Sequence, residues 1–276
     1  DNQIVDISAL SGLINLEWLY LYDNQIVDIS PLSTLSNLVE LDLDFNEIVD
    51  ISGLSTLVSL CCLYLWDNQI ANITPLSGLH NLVDLDLEGN QIVTIPDLSL
   101  LTNLEWLYLS DNQIVDISPL STLSNLVDLY LYDNQIVDIS PLSTLSNLVD
   151  LDLEGNQIVD IHDLVDNSGL GSGDDIDLTG NRLSLLTDSD DLANIQILID
   201  RGATVYYAPQ EGMPDVNENG VVDVVDLRIV HQIASGVLQG TAEQRLAADV
   251  DEDGDVDLDD ATLLAEWIAA GSTGSP

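Results

Sequence analysis

The residues best placed to do chemistry form two twelve-residue runs, DVNENGVVDVVD from Asp215 to Asp226 and DVDEDGDVDLDD from Asp249 to Asp260. Oxygen-bearing side chains stand at places one, three, five, nine and twelve of each run, and a glycine at place six lets the backbone turn sharply. In the first run the donors are Asp215, Asn217, Asn219, the carbonyl of Val221, Asp223 and Asp226. In the second they are Asp249, Asp251, Asp253, the carbonyl of Asp255, Asp257 and Asp260. Six oxygens in this spacing suit a hard cation that takes six to eight oxygen ligands, so two Ca2+ ions, one per run, are expected.

Each run is followed by an amphipathic stretch, LRIVHQIASG and ATLLAEWIAAG, and neither is preceded by a convincing helix. Two loop-helix units, Asp rather than Glu at place twelve, and AADVDEDGDVD leading into the second loop together resemble a type I dockerin over residues 215–271. That resemblance implies calcium-dependent docking onto a cohesin domain of a scaffold or cell-surface protein. It also implies that partner choice lies at loop places ten and eleven, here Val224 with Val225 and Leu258 with Asp259. Neither is the small hydroxyl pair common in the family, and the second helix runs one residue longer before its glycine. Metal used only to fold the module is the alternative, because folding of such loops is coupled to binding.

The larger part of the chain must position or present whatever else the protein does, and it is periodic. Asn2, Asn24, Asn46, Asn68, Asn90, Asn112, Asn134 and Asn156 recur every 22 residues. One column of leucines runs Leu19, Leu41, Leu63, Leu85, Leu107, Leu129 and Leu151, and the next lies two residues on, from Leu21 to Leu153. Residues two apart share one side of a strand, so stacked turns make a parallel sheet with its leucines inward. Isoleucine pairs such as Ile26 with Ile29, and leucine pairs such as Leu32 with Leu35, fill the remaining core. The Asn column sits where the chain leaves the strand, and its amide can bond backbone groups of neighbouring turns. Pro31, Pro75, Pro119 and Pro141 open the convex segment, where Ser-Pro-Leu predicts a short 3-10 piece. The aspartates at 6, 28, 50, 116, 138 and 160 are expected to cap local backbone there, a metal ladder being the other reading.

This unit, as in NLVDLYLYDNQIVDISPLSTL from Asn125 to Leu145, resembles the 22-residue class of leucine-rich repeats over residues 1 to about 207. The segment Leu183 to Tyr207, with IQILI and RGATVYY, resembles the C-terminal cap of bacterial members and is expected to cover the last turn. The fold class is thus an α/β solenoid, a leucine-rich-repeat horseshoe with a parallel concave sheet, plus a small α-helical two-calcium-loop module. Its expected divisions are the solenoid at 1–207 with a cap at about 182–207, a linker at 208–214, the dockerin-like module at 215–271 and a tail at 272–276.

Residues flanking the inward leucines point outward on the sheet and read as rows of three. They run Trp18, Tyr20, Tyr22; Glu40, Asp42, Asp44; Cys62, Tyr64, Trp66; Asp84, Asp86, Glu88; Trp106, Tyr108, Ser110; Asp128, Tyr130, Tyr132; and Asp150, Asp152, Glu154. Six of the eight tyrosines and three of the four tryptophans fall here, interleaved with carboxylates. Such rings stack on sugars or side chains while the carboxylates accept hydroxyls or hold cations, which makes a recognition surface. The alternative is that aromatics simply suit strands and stack on each other.

Charge narrows the partners. The chain carries 49 acidic residues against four arginines, a formal net charge of -45, and residues 1–181 contain no lysine or arginine. Phosphate-driven nucleic-acid binding is excluded, because it depends on Lys and Arg displacing counterions. Anionic membrane surfaces repel such a chain, no apolar run approaches the roughly 20 residues of a membrane span, and screening by salt or divalent cations is implied. Asp1 falls inside a repeat, so a processed or incomplete front is expected. Adjacent Cys61 and Cys62 exclude a disulfide framework, Cys61 reading as a small buried residue and Cys62 as a surface one. His80, His162 and His231 stand in unrelated contexts, and no nucleophile elbow or phosphate loop occurs, so an enzyme is not expected.

The function expected is an extracellular or cell-surface, calcium-dependent binding or adhesion scaffold. Its concave face takes a protein or a polysaccharide, and its dockerin-like end docks to a cohesin-like partner. The runner-up is a structural subunit that polymerises head to tail through the open apolar end at Ile4, Ile7, Leu10 and Leu13, beside Trp18.

Overall fold

The computed structural model describes residues 2–184 and 189–207, together with Ile233 and Val256. Among them are nine three-residue strands, β1 (Trp18–Tyr20), β2 (Glu40–Asp42), β3 (Cys62–Tyr64), β4 (Asp84–Asp86), β5 (Trp106–Tyr108), β6 (Asp128–Tyr130), β7 (Asp150–Asp152), β8 (Asp175–Asp177) and β9 (Thr204–Tyr206). They lie side by side in chain order in one parallel sheet. The register is set by the leucine column: Leu19 stands opposite Leu41, Leu41 opposite Leu63, and so on to Leu129 opposite Leu151. β1 begins one residue earlier than the Leu19 to Leu21 strand expected, yet the ladder continues past it through Leu21 N to Asp42 O at 2.8 Å.

From Leu41 to Leu151 that column is fully buried, as are Leu43 to Leu153 and the Ile and Leu pairs behind them. No single turn can enclose its own leucines, so each depends on the next for its core. Truncating one of these leucines to alanine costs about 3–5 kcal/mol.

The Asn column ties turn to turn. Asn46 Nδ2 donates to Leu43 O and Asp44 O of its own turn and to Leu21 O of the turn before, and its Oδ1 accepts from Ile26 N at 3.0 Å. The same pattern recurs from Asn68 to Asn156. The residue preceding each of these asparagines is left-handed: Asp23, Phe45, Asp67, Gly89, Asp111, Asp133, Gly155 and Gly180 have φ between 49 and 66°. Aspartate and glycine tolerate that region, whereas Phe45, at φ 52°, is a bulky exception.

On the convex side the aspartates do cap backbone. Asp28 Oδ1 accepts from Ser30 N at 2.8 Å, and Asp6, Asp50, Asp116, Asp138 and Asp160 do the same two residues on. Short 3-10 turns follow at Ser30–Thr34, Ser52–Thr56, Thr74–Leu76, Ser118–Thr122 and Ser140–Thr144. The turn containing Pro96 forms none, because its proline falls one residue early in the repeat.

After β7 the unit lengthens through α1 (His162–Asp166), and Leu151 pairs with Ile176, 25 residues away rather than 22. Asn167, fully buried, donates to Leu142 O and Leu145 O, satisfying the preceding turn. Helix α2 (Asp190–Arg201) follows, with Ser189 capping it from the front and Gly202 closing it at φ 100°. Its Ile195 and Leu198 are buried, and the chain then returns to the sheet as β9. Among the described residues no helix is long and apolar enough to cross a membrane.

Candidate binding face on the concave sheet

The strand residues on either side of each inward leucine lie on the concave face, and neighbouring rows come into contact across the strands. Hydroxyls of one row donate to carboxylates of the next: Tyr20 to Glu40 at 2.9 Å, Tyr64 to Asp84 at 2.7 Å and Tyr130 to Asp150 at 2.6 Å. Burial first and then the bond to a carboxylate suppress the acidity of Tyr64 and Tyr130, whereas for Tyr20 the bond to Glu40 leads. Tyr108 stacks on Tyr130, centroids 5.1 Å apart.

Exposure is uneven along the face. Trp18, Tyr20 and Tyr22 are 57%, 53% and 53% exposed. Trp66 is 38% exposed, whereas Tyr64, Trp106, Tyr108, Tyr130 and Tyr132 are half-buried in their neighbours. Ser110, expected to point outward with its row, is instead fully buried. Its strand neighbours explain this: Tyr132 reaches across the intervening turn to donate to Glu88 Oε1 at 2.5 Å, closing over it. Cys61 is only partly buried, because its place in the repeat belongs to larger residues such as Val39 and Val83, which are themselves incompletely covered. Its Sγ lies 3.7 Å from that of Cys62, whose thiol burial pushes up to about 12.

Sequence reasoning overlooked Phe45. Its left-handed backbone turns the ring onto Trp66, centroids 4.5 Å apart at 56°, extending the aromatic surface past the strand edge. Also overlooked were Asp177 and Thr179 of the eighth row, which the three-residue lengthening displaces from the 22-residue count. Oxygens of Asp152, Glu154 and Asp177 come within 4.8 Å of one another, the tightest acidic grouping among the described residues. Two of these carboxylates are already engaged, Asp177 by the N–H and hydroxyl of Thr179 and Asp152 by Glu154 N.

Carboxylates in the middle of the face pay for their burial in proton affinity. Desolvation lifts Asp44 to about 7, opposed by a 2.7 Å bond from Trp66 N and reinforced by Asp42, Asp86 and Glu88. Burial likewise lifts Asp86 and Asp152 to about 6, with neighbouring acids adding to it. Among the described residues no lysine or arginine lies in these rows to offset them, and the contact of His162 Nε2 with Asp166 at 3.6 Å belongs to α1.

The twelve expected calcium ligands, Asp215, Asn217, Asn219, Val221, Asp223, Asp226, Asp249, Asp251, Asp253, Asp255, Asp257 and Asp260, lie outside the described residues. Their chemistry is that of an all-oxygen set without a competing nitrogen or sulfur, which fits calcium.

Comparison with known proteins bears on both parts. Residues 14–56, 58–100, 102–143 and 124–166 match the family described as Leucine Rich repeats (2 copies). Residues 213–268 match the family described as Dockerin type I domain. Both are interaction modules, and type I dockerin domains bind calcium. No curated protein matches. Among solved structures, the chain is similar to an internalin, inlF, of Listeria monocytogenes, with 32% identity and a TM-score of 0.64 over 76% of this chain and 66% of that one. Internalin C2 of the same organism gives 42% identity and a TM-score of 0.59, over 60% and 74% respectively. A leucine-rich-repeat protein of Leptospira interrogans gives 25% and 0.60, over 74% of this chain and 51% of that one. The chain thus spans 66% of the length of the first of these and about half of the third.

Proposed function

The chain belongs to the leucine-rich-repeat proteins and carries a type I dockerin domain, and on that premise we propose that it is an extracellular, calcium-dependent binding scaffold without catalysis. In this reading the solenoid at 1–207 presents its concave face to a protein or a polysaccharide. The linker at 208–214 joins it to the module at 215–271, where two calcium ions held by the twelve loop oxygens order a surface that docks to a cohesin-like partner. The observation that carries the reading is the alternation of exposed rings and desolvated carboxylates across β1 to β4, a surface costly to keep in water unless something covers it.

Two binding experiments test it. An array of surface proteins and glycans, probed in millimolar calcium, is expected to give hits that Trp66→Ala or Trp18→Ala weakens; a blank array counts against the concave face. Cohesin domains are expected to retain the chain in calcium and release it in chelator. Retention that ignores calcium would remove the docking role.

Head-to-tail polymerisation is the second reading, supported by the wholly aromatic composition of the row Trp18, Tyr20 and Tyr22. Fibres in calcium that vanish on Trp18→Glu establish it, and a monodisperse monomer at high concentration removes it.

A further inference from the structure

We propose that the concave face around Trp66 takes a cationic polypeptide segment, with arginine preferred to lysine and the basic residues spaced about three apart. The inference rests on the concave face being a binding surface, and adds to that reading the chemistry of the occupant.

Three observations lead to it. Asp42 and Asp86 stand on either side of Tyr64, and Asp44 and Glu88 continue those two rows beside Trp66, whose backbone N–H donates to Asp44 Oδ1; residues 1–181 supply no lysine or arginine that could neutralise them. Burial raises the Asp44 carboxyl, and repulsion from Asp42, Asp86 and Glu88 adds to it, with the strand register placing Asp42 and Asp86 on either side of Tyr64. A cation placed among them relieves that repulsion, whereas a neutral sugar does not and an anionic one adds to it. A second copy of this chain is a poor occupant, since its only basic side chains are Arg182, Arg201, Arg228 and Arg245.

The spacing decides between a metal ion and a chain. Among the described residues, three acidic oxygens within 4.8 Å of one another occur at Asp152, Glu154 and Asp177, and not around Trp66. No three carboxylates there are set to converge on one ion, whereas several separate cationic side chains can each meet one or two of them. β2 and β4 are two strands apart, about 10 Å. A polyproline II segment advances roughly 9 Å in three residues, so consecutive basic residues at that interval reach the two acidic rows in turn. Between the rows, the half-exposed rings of Trp66 and Phe45 offer a face on which a guanidinium stacks while it bridges to a carboxylate, a geometry an ammonium cannot match.

The test is a titration of the full chain in millimolar calcium with the peptide (Arg-Pro-Pro)4, followed by tryptophan fluorescence and by calorimetry. Its companions are (Lys-Pro-Pro)4, (Gln-Pro-Pro)4 and an uncharged oligosaccharide. The variant Asp42→Asn/Asp86→Asn/Glu88→Gln keeps the amide oxygens that accept Asp44 N and Glu88 N. It is expected to weaken the arginine peptide at least ~10-fold, and Trp66→Ala several-fold. A variant of equal charge change off this face, Glu17→Gln/Glu47→Gln/Asp166→Asn, is expected to stay within about 2-fold, and circular dichroism checks that both remain folded. Equal losses in the two triple variants overturn the inference, because the attraction is then that of a diffuse acidic surface. An oligosaccharide that binds in a Trp66-dependent way, with the arginine peptide inert, overturns the cationic class and leaves the concave reading standing. No Trp66-dependent binding by any probe, with the protein array also blank, takes both down.

Discussion

Replacing Asn112 by alanine removes four hydrogen bonds, but they are not equivalent. Leu87 O keeps Asn90 Nδ2 at 3.0 Å, Leu109 O keeps Asn134 Nδ2 at 3.0 Å, and Ser110 O keeps Gly89 N at 3.0 Å. Ile92 N, by contrast, donates to Asn112 Oδ1 at 2.8 Å in a fully buried setting. Stranding that one N–H costs about 1–3 kcal/mol, and weakening three shared carbonyls adds about half as much again, so a loss of about 1.5–4.5 kcal/mol is expected. Asn24→Ala strips the equivalent bond from Ile4 N, but Ile4 is 37% exposed and water replaces it, so the cost stays below about 1 kcal/mol. Asn112→Asp keeps the acceptor for Ile92 N yet turns a buried carboxylate toward three carbonyls, and should be worse than alanine. Urea unfolding of the full chain in calcium, read by circular dichroism, measures all three. Equal costs for Asn24→Ala and Asn112→Ala, or an Asn112→Asp milder than alanine, would refute the reasoning.

Three further outcomes are expected. Gly169→Ala places a Cβ 2.1 Å from the backbone oxygen of Ser146 and should cost about 2–4 kcal/mol, whereas Gly78→Ala meets nothing within 4 Å and should be neutral or mildly stabilising in the same melts. The folded-state pKa values of Asp44, Asp86 and Asp152 lie above the ordinary 3.8, so the folded chain binds more protons than the unfolded one between about pH 4 and 7. Their contribution is full below that range and lost as pH rises through 6 and 7. The melting temperature should therefore climb on acidification from pH 8 to 5, and Asp44→Asn should flatten the upper part of the curve. Chelation should unfold residues 215–271 and leave the solenoid melting intact, because the leucine core uses no ligand oxygen; calorimetry without any calcium-dependent transition would remove the loop assignment.

What could be read in advance was whatever repeats. The leucine columns and the Asn ladder each rest on a two-residue or 22-residue period, and a period survives any detail of side-chain packing. The concave rows follow from the same parity. What stayed hidden depends on single contacts. Phe45 sits where other turns use aspartate or glycine, and only its ring contact with Trp66 explains a bulky residue in left-handed backbone. Ser110 shares the parity of an exposed residue, yet it is fully buried in the row that Tyr132 spans to reach Glu88. The lengthening from 22 to 25 residues before β8 is itself legible, as the interval from Asn156 to Asn181, but not how α1 and Asn167 fill the outer side.

The bonds that join one turn to the next all point along the stacking direction, from Leu21 N to Asp42 O through Leu178 N to Tyr206 O. A pull between the two ends therefore loads them in succession rather than together, and the turns peel away one at a time. Each full repeat of 22 residues pays out about 75 Å of extended chain when it lets go. Held at one end and tugged at the other, the solenoid is expected to lengthen in repeat-sized steps, which force-extension measurement would register.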